Sequence, residues 1–241
     1  MSRGWLVAAL GVWSCAACAQ SIDAPALKAG DSWTVAETTE AGQQGYSRKE
    51  EVITVERVDS DDMLVSVKED GSNQAPTEKM VGRDWSRSRD INGKQETINR
   101  PLAFPLRDGK KWTVDYTELN PNRMHTRETF HSEYVVTGWE DVQVPAGTFK
   151  ALKIEAQGQW TADLAPAIIH GSGAAVTPGD VSMASQSVRI TPHTISGRLY
   201  KAFWYVPEQK RFVKSVEEYY STKGVRSQRF TEELTASKLA G

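Results

Sequence analysis

The feature that most constrains this chain is a repeat. Leu27-Lys28-Ala29-Gly30-Asp31-Ser32-Trp33-Thr34-Val35 matches Leu106-Arg107-Asp108-Gly109-Lys110-Lys111-Trp112-Thr113-Val114, with Leu, a basic residue, Gly, Trp, Thr and Val at the same offsets. In each copy glycine provides a turn, because it adopts positive φ without a Cβ penalty. Trp-Thr-Val then favours a strand, since aromatic and β-branched side chains fit a pleated surface. After a polar stretch each copy has a second β-prone run, Glu51-Val52-Ile53-Thr54-Val55 in the first and Tyr134-Val135-Val136 in the second. Two related β-units follow, residues 27–105 and 106–241, within one β-rich domain spanning 20–241. The period is too long and the copies too few for a solenoid.

Alternation extends the β reading. Met63, Val65 and Val67 share one parity while Ser66 and Lys68 take the other, and Leu152, Ile154 and Ala156 alternate with Lys153 and Glu155. Period two buries one face of a strand and wets the other, as in antiparallel sheets. The aromatic run at 199–206 predicts a central strand. Asn92-Gly93 predicts a two-residue hairpin, Asp70-Gly71 another turn, and Pro145-Ala146-Gly147-Thr148 a tight turn. Apolar spacing of the helical kind is short everywhere, and the tail at 232–239 is expected to form one turn or to fray. Residues 162–196 are rich in Gly, Ala, Ser, Thr and Pro and predict a long inserted loop, whose one apolar patch, 165–169, would dock on the sheet or cover a cavity. The expected fold is mainly β: a curved antiparallel sheet or half-barrel made of two related β-units, with that long inserted loop.

The first residues predict export. Met1-Ser2-Arg3 precedes an apolar run at 5–13 that is shorter than the about 20 residues a membrane span needs. Ala17-Cys18-Ala19 supplies small residues at −3 and −1, so 1–19 reads as a signal peptide cleaved after Ala19 and the mature chain as periplasmic, with no transmembrane segment. Lipid anchoring through Cys15 or Cys18 is the other route, and neither cysteine follows the usual lipoprotein box. Both cysteines lie in the leader, so thiol chemistry, disulfides and Cys-held metals leave with it. About 220 residues remain, enough for a core without staples. The formal net charge of −2 and the absence of a long basic run argue against a nucleic-acid partner.

No phosphate loop, dinucleotide fingerprint, His-Glu-x-x-His or Gly-x-Ser-x-Gly elbow is present. No cofactor, metal site or catalytic residue is therefore assigned. His125 and His131 lie about 20 Å apart along an unbroken strand at about 3.3 Å per residue, too far to share a metal. His170 and His193 flank the insertion. Asp59, Asp61 and Asp62 read as a solvated turn before Met63, and Glu217 and Glu218 form a second acidic cluster. Arg83, Arg87 and Arg89 share parity with Trp85 and would hold an anionic head group, or form an exposed hairpin face. The tryptophans are core, or they line an apolar pocket; Trp33, Trp85, Trp112 and Trp204 are the candidates, ahead of Trp139 and Trp160.

Two stretches carry a resemblance. Val144-Pro145-Ala146-Gly147-Thr148-Phe149 with its continuation to Glu155, and Phe203-Trp204-Tyr205-Val206-Pro207-Glu208 followed by Arg211-Phe212-Val213-Lys214, resemble segments of uncharacterised exported β-rich proteins of Gram-negative bacteria. The resemblance implies a periplasmic setting and brings no catalytic residues. The leading expectation is a non-catalytic periplasmic β-domain that binds a lipid-like or apolar small molecule, or an envelope protein. A hydrolase with scattered carboxylates and a structural or assembly protein of the envelope are the alternatives.

Overall fold

The structure, a computed structural model, describes residues 21–42, 45–177 and 180–240, with side chains described outside 167–190. The expected signal peptide and Cys15 and Cys18 lie outside the described residues. The strands are β1 (Ser32–Glu40), β2 (Tyr46–Val58), β3 (Asp62–Glu69), β4 (Thr77–Gly82), β5 (Arg87–Ile91), β6 (Lys94–Asn99), β7 (Lys111–Leu119), β8 (His125–Val144), β9 (Gly147–Leu164), β10 (Ala167–Thr177), β11 (Asp180–Ile190), β12 (Thr194–Val206), β13 (Arg211–Tyr220) and β14 (Arg226–Lys238). Ten of them form one antiparallel sheet in the order β4-β3-β2-β1-β14-β13-β12-β9-β8-β7, which is not closed into a barrel. The pairs β5-β6 and β10-β11 are separate ladders. Among the described residues no helix is long and apolar enough to cross a membrane.

The repeat has a geometric basis. Gly30 N–H donates to Val55 O at 2.8 Å and Val55 N–H to Asp31 O at 2.8 Å; Gly109 N–H donates to Val136 O at 3.0 Å and Val136 N–H to Lys110 O at 2.9 Å. Both glycines have positive φ, 90° and 70°. Each then delivers a tryptophan opposite the second run, Trp33 against Ile53 and Trp112 against Tyr134. The units meet where β1 pairs with β14, with Val35 opposite Leu234 and Glu37 opposite Glu232.

One face of the sheet, the inner face, carries the core. Trp33, Val35, Ile53, Met63, Val65, Tyr134, Ile154, Phe203 and Leu234 are buried there. They pack against the connection between the units, which contributes Trp85, Leu102 and Leu106. A one-sided sheet needs such cover to bury its apolar stripe. The turn chemistry acts as its residues dictate: Asn92 and Gly93 take φ of 54° and 82° between β5 and β6, the pair of positive angles that a type I′ hairpin requires. Pro145 and Ala146 join β8 to β9, and Ala146 N–H caps Leu234 O at 3.0 Å.

Two expectations are corrected. The insertion at 162–196 is not a loop over its length, because β9 runs to Leu164, β10 and β11 fill most of the rest, and β12 begins at Thr194. Asp163 lies opposite Thr194 and Ala167 opposite Ile190, so the insertion extends the β9-β12 hairpin in unchanged register. Small residues carry no packing signal, yet they leave the backbone free to pair. The side chains of 167–169, and with them the expected docking patch, lie outside the described ones. The tail neither turns helically nor frays up to Lys238. Residues 232–238 belong to β14, paired on one side with β1 and, over its first half, with β13 on the other.

Candidate functional site

The site is built by the β5-β6 hairpin, which sits over the inner face. The expected shared face of Arg83, Trp85, Arg87 and Arg89 is interrupted at Trp85, which has φ of 59° in a turn closed by Gly82 N–H to Ser86 O at 2.9 Å. Arg83 stays at that turn, donating to Ser60 O at 3.3 Å. Arg87 and Arg89 lie on one side of β5 and reach across to the large sheet. Arg87 donates to Glu217 on β13 at 2.8 Å, and Arg89 pairs with Glu118 on β7 beside the Tyr116 ring. The Asn92 side chain adds a clip at the hairpin tip, donating to Thr117 O at 2.9 Å and accepting from Leu119 N–H at 3.0 Å. These arginines therefore hold the hairpin to the sheet.

Under the hairpin lies a buried polar cluster. Lys201, 5% exposed, stands 3.4 Å from Glu217 and donates to Asn99 Oδ1 at 3.3 Å. Tyr134 donates to the same oxygen at 2.7 Å, and Asn99 Nδ2 donates to Glu217 at 3.3 Å. Burial pushes the Glu217 carboxyl up, but Lys201 and Arg87 outweigh it and hold the group below the usual carboxylate range. Burial pulls the Lys201 ammonium down, with Glu217 opposing.

Trp33 and Trp85 meet edge to face at 5.2 Å between ring centres. Both indoles hold the turn between β12 and β13, Trp33 donating to Gln209 O at 2.8 Å and Trp85 to Lys210 O at 3.1 Å. The same turn is anchored by Lys210, 2.9 Å from buried Asp31. Arg211, 4% exposed, lies 4.6 Å over Trp85 and 4.5 Å over Phe212 and pairs with Glu232 at 2.6 and 3.2 Å. The aromatic run that ends at Pro207 is thus tied into the core by residues from both units.

Beside this lock a cleft opens between the inner face and the hairpin. Its outer lobe has a volume of about 490 Å³, with Glu37, Lys49, Arg87, Ile98, Tyr219 and Phe230 in its walls. Its inner lobe, about 180 Å³, runs onto Ile53, Val65, Val67, Val81, Phe203 and Phe212. Glu37, Glu51, Lys79, Arg87, Ser215, Glu217 and Glu232 border both lobes. Burial raises the Glu37 carboxyl above its usual range; Lys49, 3.8 Å away, and more weakly Lys79 pull it down, while Glu51 and Glu232 push it up. Lys49 itself is held by Glu51 at 2.7 Å.

Of the sequence candidates, Trp85 and Arg87 border the cleft. Trp33 lies beneath it in the core. Arg83 and Arg89 stand apart from it, and Trp112 is stacked on Tyr134 with its indole donating to Arg100 O at 2.9 Å. Trp204 sits on the opposite face, flanked by Lys153 and Lys214 and donating to Glu140 at 2.6 Å. That face also carries a second, polar groove of about 550 Å³ along β8, β9 and β12, lined by His131, Gln157, Gln159, Arg198 and Tyr200. A hydrogen bond to Asp115 at 2.5 Å raises the His131 pKa. Among the described residues no three His, Cys, Asp or Glu side chains are placed to hold a metal. Glu37, Lys79, Lys201 and Glu217 were not singled out from sequence as site residues. Their only signal was strand parity, which sets Glu37 with Trp33 and Val35 and sets Lys79 with Val81.

No family model matches the chain, and no curated protein does. Solved structures do. A proposed exported protein of Bacteroides fragilis with a YmcC-like fold is 15% identical, with 91% of this chain and 100% of that one covered at a TM-score of 0.42. A proposed lipoprotein of Parabacteroides distasonis is 13% identical, with 91% and 100% covered at 0.45. The hypothetical lipoprotein YmcC of Escherichia coli is 13% identical, with 87% and 85% covered at 0.32.

Proposed function

We propose that this protein is a non-catalytic binding domain of the bacterial envelope, and that the cleft between the inner sheet face and the β5-β6 hairpin takes an apolar or amphipathic ligand. The carrying observation is the graded lining: the aliphatic and most of the aromatic residues gather in the inner lobe, among charged residues that border both lobes. The charged border makes this cleft more polar than the usual, mostly apolar small-molecule pocket, and a charged rim over an apolar floor suits a ligand with one end of each kind. The leader read at 1–19 supports an exported setting. Trp85 and Arg87 are the sequence candidates this reading keeps.

Native mass spectrometry of protein purified from its own envelope, without detergent exchange, tests the reading. The expected result is an adduct of lipid-like mass that is lost when Val67→Trp fills the inner lobe. A bare mass for both proteins, with no co-purifying molecule, would overturn it.

A further inference from the structure

Pairing off the charges around the cleft by direct contact leaves one cation without a contacting carboxylate. Glu51 is taken by Lys49, Glu217 by Arg87 and Lys201, and Glu232 by Arg211. Glu37 shares Lys49 at 3.8 Å. Lys79 borders both lobes, is exposed, and makes no direct hydrogen bond or ion pair among the described residues, although its charge reaches Glu37 across the cleft. It is placed by β4, where Lys79 lies opposite Val65 and Val81 lies opposite Met63. Its side chain thus rises from the same aliphatic floor that the inner lobe uses.

Resting on the cleft reading above, we infer that Lys79 is the head-group residue of this site, and that its ligand is a single-chain amphiphile ending in an oxyanion. The chain would lie on Val65, Val67 and Val81, and the carboxylate or phosphate would accept from the Lys79 ammonium. An inner lobe of about 180 Å³ is below the about 300–1,000 Å³ of ordinary ligand pockets, which suits one chain end rather than the pair of a diacyl lipid. A cationic head is disfavoured because every carboxylate of the border already has a cation within ion-pair distance, so a cationic ligand would have to displace a bound side chain. At Lys79 an anion has no contacting carboxylate to displace and competes only with the more distant Glu37, and a charge-assisted hydrogen bond there is stronger than a neutral one.

The test is equilibrium binding of three probes to the full chain: oleate, lysophosphatidylglycerol and zwitterionic lysophosphatidylcholine. The wild type is expected to bind oleate or lysophosphatidylglycerol more tightly than lysophosphatidylcholine. Lys79→Gln should weaken the anionic probe about tenfold or more, the scale of a charge-assisted hydrogen bond, while lysophosphatidylcholine changes little. Lys79→Arg should retain binding. Preference for oleate alone identifies a carboxylate, and preference for lysophosphatidylglycerol a phosphate. Equal binding of all three probes, unchanged in Lys79→Gln, would sink the role of Lys79 and leave the cleft reading standing. Failure of the wild type to bind any of them would remove both. Because Lys79 is exposed, an unchanged unfolding midpoint for Lys79→Gln separates lost binding from lost structure.

Discussion

Glu217 shows how far a residue's role depends on what the fold puts around it. In sequence it is half of an acidic pair, and such pairs are usually solvated. Alternation along β13 separates the two: Glu218 stays on the outer face with Tyr220 and Arg226, while Glu217 turns inward to Lys201, Arg87 and Asn99. Its partners come from β12, β5 and β6, which no local reading of β13 could supply. Its pKa is depressed in the folded protein, so its contribution to stability is complete above the unfolded carboxylate value of about 4.3 and is lost as pH falls through the folded value. Glu217→Ala is expected to cost about 3 kcal/mol at pH 7, because it strands Lys201 in the core. Urea unfolding should show that deficit at pH 7 and a clearly smaller one at pH 3. Equal stability of the two proteins at pH 7 would mean that the cluster does not anchor the hairpin. Lys201→Met combined with Glu217→Leu should recover part of the loss, since an apolar pair replaces a buried ionic one at little cost.

At the level of the element, most strands were legible and their close approaches were not. Period two in 63–68 and 152–156, the Asn92-Gly93 turn and the Pro145 turn each act through local physics, and each stands where sequence put it. The insertion was misread because Gly, Ala and Ser have low strand propensity. They adopt β structure here by continuing a ladder whose register β9 and β12 already fix. Gly158 is a sharper case. A Cβ at this position would lie 2.1 Å from His131 O, so the strands β8 and β9 approach more closely than any side chain permits. Nothing in the surrounding sequence announces that contact. Gly158→Ala must push the two strands apart, and overpacking of this kind costs about 1–3 kcal/mol. The melting temperature should fall by about 5 °C in a chain of this size. An unchanged melt would show that β8 and β9 have slack at this crossing.

The described residues are built on one large sheet with one core, even though the sequence reads as two copies of a unit. The repeat explains why β1 and β7 begin alike, but not how the units join. That depends on β14 returning from the end of the chain to β1, and on an exchange of anchors between the copies. Trp33 and Trp85, from the first unit, hydrogen-bond the turn at 207–210 in the second. Asp31, also from the first, is buried with Lys210 and Ala240 N–H as partners. Separating the halves would strip Trp33 and Asp31 of these partners and expose both edges of the β1-β14 seam. A buried carboxylate without its cation is costly, and an open apolar edge strand promotes association. Residues 21–105 and 106–241, expressed apart, are therefore expected to lack the near-ultraviolet circular dichroism of packed aromatic side chains. The joined chain should unfold in urea as one transition, followed alike by tryptophan fluorescence and far-ultraviolet circular dichroism. Two separated transitions, or a folded 106–241 fragment, would show instead that the repeat marks two independent units and that the anchors between them are an addition.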